Sequence, residues 1–272
     1  MTEAEWFACT DPQNMLKYLL REQLSSDRKF RLFACACIRS VWHLLSDPRS
    51  RAAVEVAELF ADGLATRNDL DAAGTAAWTA ARDAPGVELL AAAWTASRTA
   101  SVAASGAAVR TAARDSRANI LRDIIGNPFH PVTLLQSSRV VEVRGESSSD
   151  RFETDESYCP WITPLVMSLA VGAYEERGRK CEACDGSGEV DNGDSQLHPC
   201  GVCRSVGTID VGTMDNDRLA ILGDALEEAM GDDGEVEVPQ TRRIPHPLFA
   251  HLRSKGPHYR GMWSLDLLLG KV

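Results

Sequence analysis

The chain has 272 residues, 44% of them apolar and 25% charged, and a formal charge of -10. This balance excludes a wholly disordered chain. It also argues against a nonspecific polyanion binder, because nucleic-acid affinity comes largely from Lys and Arg neutralising phosphates.

The opening residues, MTEAEWFACTDPQ, carry acids where a secretory signal needs a basic start and an apolar core. No window approaches the roughly 20 apolar residues of a membrane-spanning helix, so the expectation is a cytoplasmic protein without a membrane partner. Asp11 and Pro12 open a first helix with Met15, Leu16, Leu19 and Leu20 on one stripe. Ser26 or Asp27 caps a second, which places Phe30, Phe33, Cys37, Val41 and Leu44 at helical spacing. Asp47 with Pro48 starts a third, with Val54, Ala57, Leu59 and Phe60 on a broad apolar face. Short links between the three predict antiparallel packing.

Residues 72–118 are biased toward Ala and repeat WTAARD, WTASRT and RTAARD with a period of sixteen. Ala favours helix, while Pro85 and Gly86 interrupt the run. The bias suits an Ala-rich helical hairpin or, alternatively, stacked helical repeats. NILRDIIGNPFHPV ends a helix at Gly126, since Gly takes the left-handed position after a helix and Pro128 cannot continue it. From 135 to 160 the periodicity fails. RVVEVRG suits a short strand, and ESSSDRFETDES reads as an exposed acidic loop. The loop separates an N-terminal helical region, 1–134, from a C-terminal one, 161–272. A helix begins around Thr163 and Pro164 and runs through Leu165, Leu169, Val171 and Tyr174; another begins near Asp215 with Leu219, Leu222 and Leu226 on one side.

Between these last two helices lies a passage written twice, CEACDGSGEV at 181 and CGVCRSVGTI at 200. Its spacing is C-x2-C-x15-C-x2-C, formed by Cys181, Cys184, Cys200 and Cys203. Two such knuckles supply four thiolates for one tetrahedral Zn(II) with no open position, hence a structural site. Residues 179–210 hold few large apolar side chains, and metal binding supplies the ordering energy that burial cannot. The main rival is a redox role for each CxxC. His198, close to Cys200, is a second candidate ligand.

Cys181, Cys184, Gly186 and Gly188 match CxxCxGxG, and the motif resembles the cysteine-rich repeat of DnaJ-type chaperones. The second copy departs from it with Ser205 in place of the first Gly. Two copies in place of four leave room for one zinc ion. HPV at 130, HPC at 198 and HPL at 246 do not substitute for the HPD of a J domain. The resemblance implies a zinc knuckle with a polypeptide-binding surface, not Hsp70 stimulation. MTEAEWFACTDPQNML, NILRDIIGNPFHPV, DRLAILGDALEEA and GPHYRGMWSLDLLLGK resemble a large paralogous family of uncharacterised bacterial proteins, in which the zinc module would be an optional insert.

Cys9, Cys35, Cys37 and Cys159 read as small buried or half-buried side chains, with a second metal site including His43 as the alternative. His246, His251 and His258 crowd the C-terminus without a G-x-S-x-G or HExxH motif. They read as surface or helix-end residues, with Trp263, Leu265, Leu267 and Leu268 closing a core. The expectation is a mainly α protein, a multi-helix bundle-like array with a small zinc-knuckle β-hairpin between two C-terminal helices. It acts as a non-enzymatic adaptor with a protein partner; an enzyme with an unrecognised site and a nucleic-acid-binding zinc protein are the alternatives.

Overall fold

The computed structural model describes residues 1–83, 114–132, 139–143, 151–155, 162–175, 178–180, 183–185, 187, 189–191, 197–200, 208–210, 212–231 and 247–271. These are mainly helical. In chain order they form α1 (Glu3–Ala8), α2 (Pro12–Arg21), α3 (Asp27–Arg39), a 3-10 turn (Trp42–Leu44), α4 (Pro48–Ala61), α5 (Arg67–Asp83) and α6 (Arg114–Ile125). Strands β1 (Arg139–Val143) and β2 (Arg151–Asp155) follow, then α7 (Pro164–Glu175). Four three-residue strands come next: β3 (Gly178–Lys180), β4 (Glu189–Asp191), β5 (Leu197–Pro199) and β6 (Thr208–Asp210). Helices α8 (Asn216–Gly231), α9 (Pro247–Leu252) and α10 (Trp263–Leu268) close the chain.

The caps explain the early helix starts. Asp11 accepts from the backbone N–H of Gln13 ahead of Pro12, Ser26 from that of Lys29, and Asp47 from that of Arg49 ahead of Pro48. Each satisfies one N–H that a helix start would leave unpaired. Gly126 takes φ +76 directly after α6, as its sequence requires.

Burial corrects several side-chain assignments. Leu20 and Leu59 are exposed; α7, for which the sequence selects no inner face, buries Val166, Ala170, Ala173 and Tyr174 and leaves Leu165 and Val171 exposed. That helix is apolar on most of its surface, so periodicity alone does not select its inner face. RFETD is a strand, not part of a loop: β2 pairs antiparallel with β1, Val141 opposite Glu153. Its polar side chains hid it, because backbone hydrogen bonds, not apolar alternation, define the pair. The first WTAARD copy lies in α5; the second and most of the third fall outside the described residues.

Three hydrophobic clusters form the described helical core, one of them joining α3, α4 and α5 around Ile38, Val54, Ala57 and Leu70. Trp6, Met15, Leu19, Phe30, Phe33 and Leu121 unite α1, α2, α3 and α6. Val166, Tyr174, Leu219, Leu222, Leu226, Leu252 and Leu265 unite α7, α8, α9 and α10. A buried ionic network stitches the N-terminal helices to the C-terminal ones. Arg28 pairs with Asp62 and Asp266, Asp62 also takes Arg260, and the Tyr174 hydroxyl donates to Asp62. Among the described residues, no helix is long and apolar enough to cross a membrane.

Candidate functional site

The cysteine passage is organised by two short ladders. Outer strands β3 and β6 pair antiparallel, Lys180 opposite Thr208, and inner strands β4 and β5 pair with Glu189 opposite Pro199. One CxxC lies in the arm between Lys180 and Glu189, and the other in the arm between Pro199 and Thr208. Cys184 and Cys200, one from each arm, are both buried and pack together with Val190 at their edge. The Ser187 N–H donates to the Cys184 carbonyl at 2.9 Å and turns the first arm toward β4. Asp185 completes that turn at φ +49. His198 stands opposite Val190 in the inner ladder. Cys181 and Cys203 lie outside the described residues.

The other cysteines separate as their helical offsets dictate. Cys35 faces the cluster of Ile38, Val54 and Ala57, while Cys37 faces that of Phe33 and Leu121. Residues two apart on a helix do not share a face. Burial pushes the Cys37 thiol up to about 12, which keeps it protonated and inert. Cys9 is half-buried and Cys159 lies outside the described residues.

A second constellation gathers in the helical body. Asp123, in the last turn of α6, receives His258 and His251 from the C-terminal segment. His258 Nδ1 lies 2.6 Å from Asp123 Oδ1, and His251 Nε2 lies 3.1 Å from the same oxygen. The Tyr259 backbone N–H donates to Asp123 Oδ2 at 3.1 Å. The outer ring nitrogens are engaged too. His258 Nε2 faces the Ser254 carbonyl at 3.0 Å, and His251 Nδ1 faces Ser264 Oγ at 2.9 Å. Trp263 stacks on His251 with ring centroids 4.9 Å apart. Gly126 allows that placement, since a Cβ there would stand 3.0 Å from Trp263 Cγ.

Electrostatics follow from this geometry. Burial pushes the Asp123 carboxyl up, but the bonds and charges of His251 and His258 outweigh it and hold the group below the usual carboxylate range. Burial disfavours the charged form of His258, yet Asp123 and the Ser254 carbonyl raise its pKa on balance. Of the surface or helix-end positions expected for these histidines, His251 takes a helix end, in the last turn of α9 and half-buried, whereas His258 is buried and corrects the expectation. His246 lies outside the described residues. Sequence reasoning missed Asp123 entirely. Its partner His258 is 135 residues away, so no local spacing announces the pair.

No family model matches the chain, and no curated protein or solved structure shows significant similarity to it. The resemblance to DnaJ-type repeats thus rests on its own residues.

Proposed function

We propose that residues 179–210 form a structural zinc knuckle, held by thiolates of Cys181, Cys184, Cys200 and Cys203, and that it presents a docking surface to a protein partner. The observation that carries this reading is the joint burial of Cys184 and Cys200, which come from different CxxC pairs. A redox role would use the two cysteines within one CxxC. Contact across the arms favours a shared centre.

The ladders strengthen the case by their weakness. Each pairs only three residues per strand, and short two-stranded hairpins are marginal in water. Around the two thiols the cluster contains only Val190 among the described residues. Zinc modules of this size gain about 10–16 kcal/mol from the metal. Zinc bound by four thiolates would hold the two arms together and stay closed to water or substrate.

A closed site presents surface and performs no chemistry of its own. Between Glu175 and Asp210, Arg177, Arg179, Lys180 and Arg204 face eight acids, Glu175, Glu176, Glu182, Asp185, Glu189, Asp191, Asp194 and Asp210. Such a module repels phosphates and suits a protein with basic residues around an apolar pocket. Leu197, 68% exposed on β5, is an apolar anchor for that pocket.

The test has two arms. Zinc content of the full chain should fall by one ion in a Cys184→Ser, Cys203→Ser variant. Partners captured by the wild type should be lost by that variant and by Leu197→Glu, with helical circular dichroism unchanged. Unchanged zinc content removes the knuckle, and a partner set indifferent to all three substitutions removes the adaptor role.

A further inference from the structure

We infer that Asp123, His251 and His258 form a second metal centre, a two-histidine, one-carboxylate site for a Zn(II)-class divalent transition ion in the helical body. It is chemically separate from the cysteine knuckle and does not depend on it.

The donor set comes first. One ligand atom from each of the three side chains lies within 4.8 Å of the others. Two imidazoles and a carboxylate suit zinc, iron, cobalt or nickel, and disfavour magnesium or calcium, which take oxygen shells. The separations of 2.6 and 3.1 Å from Asp123 Oδ1 to the two ring nitrogens are hydrogen-bond lengths, and an ion bound at about 2.0–2.2 Å would widen them to the roughly 3.3–3.6 Å edge of a tetrahedron.

The outer contacts carry the inference further. Histidines that bind metal commonly donate their other ring N–H to a carbonyl, carboxylate or water, which fixes the ring and its tautomer. His258 does this through Nε2 to the Ser254 carbonyl, leaving Nδ1 aimed at the centre. His251 has Ser264 Oγ at Nδ1. A hydroxyl either donates or accepts, so Ser264 serves His251 in the tautomer that frees Nε2 for an ion. Asp123 Oδ2 is held by the Tyr259 N–H, which leaves Oδ1 at the focus. Each of the three groups is thus anchored on its far side and convergent on its near side.

Access separates this centre from an ordinary buried ion pair. All three residues line an open cleft of about 1230 Å3, walled also by Gly126, Trp263 and Lys29. Three protein ligands facing a cleft leave a fourth position for water or a small anionic ligand, the arrangement of catalytic zinc sites rather than structural ones. Lys29 Nζ sits at the wall, held by the carbonyls of Ile124 and Gly261 at 2.9 Å each and paired with Asp266 Oδ2 at 2.5 Å. Without the ion, a proton between His258 Nδ1 and Asp123 Oδ1 bridges the pair; the ion takes its place and the proton leaves to solvent.

Cobalt(II) titration of the metal-free full chain tests the proposal, because thiolate ligation gives an intense charge-transfer absorption that a nitrogen and oxygen site lacks. The expected result is two cobalt ions per chain. One has the thiolate band; the other has only weak ligand-field absorption, and it persists in the Cys184→Ser, Cys203→Ser variant. His251→Ala should remove that second ion and leave the thiolate band intact. The wild-type titration does not depend on how any variant folds. Absence of a second ion in the wild type at micromolar cobalt overturns the inference, as does a second ion that survives His251→Ala in a folded chain. Either result would identify the triad as a proton-bridged ionic network and leave the knuckle untouched.

Discussion

Arg28 and Asp266, 238 residues apart in the chain, form a two-pronged pair, Nη1 to Oδ2 at 2.6 Å and Nη2 to Oδ1 at 2.9 Å. The same guanidinium donates to Asp62 through Nε at 3.1 Å and Nη2 at 2.8 Å, and to the Tyr174 hydroxyl at 2.8 Å. One side chain of α3 therefore serves groups after α4, in α7 and in α10. Planar fork geometry makes this possible, and a lysine cannot reproduce it.

Removing that hub should be costly. Arg28→Ala leaves two buried carboxylates short of a partner, and breaking a buried ion pair in this way typically costs about 3–5 kcal/mol. Arg28→Lys should recover only part of the loss. Urea denaturation of the three proteins measures it, and equal midpoints would show that the network does not hold the two halves together.

Acid should act on the same network through Asp62. Burial pushes its carboxyl up, but Arg260 and Arg28 more than compensate and hold its pKa below the ordinary value. A group with a depressed folded-state pKa stabilises the fold above its unfolded pKa, near 3.9, and loses that contribution as pH falls through the folded value. Thermal midpoints should therefore decline steeply below about pH 4. The decline should be shallower in Asp62→Asn, which starts from a lower midpoint at neutral pH.

Two glycines with similar backbone angles should respond very differently to alanine. Gly212, at φ +78, stands where the chain returns from β6 to the helical body, and a Cβ there would meet the Arg39 carbonyl oxygen at 2.8 Å. Gly63, at φ +74, has nothing within 4 Å. Gly63→Ala should cost only the left-handed strain, about 1 kcal/mol. Gly212→Ala should cost about 1–3 kcal/mol more, because the clash is with backbone and cannot rotate away. Equal thermal shifts would contradict the close seating of this turn.

Much of the helical order is visible in local chemistry. Asp11 before Pro12, Asp47 before Pro48 and Gly126 before Pro128 announce helix ends through groups within a few residues of each other. Pairings between distant residues leave no such trace. β2, RFETD, is polar apart from Phe152, and its partner β1 supplies the order. Asp123 looks like an ordinary acid of an amphipathic helix until His251 and His258 close on it. The double cysteine motif was legible because its chemistry repeats at short range, and the shared burial of Cys184 and Cys200 is what spacing alone could not supply.

Chelation should separate knuckle from body. The described core clusters of the helices contain none of residues 179–210, so a chelator should loosen the knuckle while most helical circular dichroism persists. Cooperative loss of the helical signal on chelation would show that the metal is integral to the whole fold.

X-ray absorption at the zinc edge addresses the knuckle most directly, because sulfur and nitrogen shells are distinguished by distance. Zinc-loaded full-length protein should show a Zn–S shell at about 2.3 Å, and the shell should vanish in a Cys184→Ser, Cys200→Ser, Cys203→Ser variant. His198→Ala should leave the zinc affinity of the knuckle unchanged, because all four ligands are thiolates. A zinc-loaded wild type with only a nitrogen and oxygen shell, at about 2.0–2.2 Å, would contradict the knuckle outright.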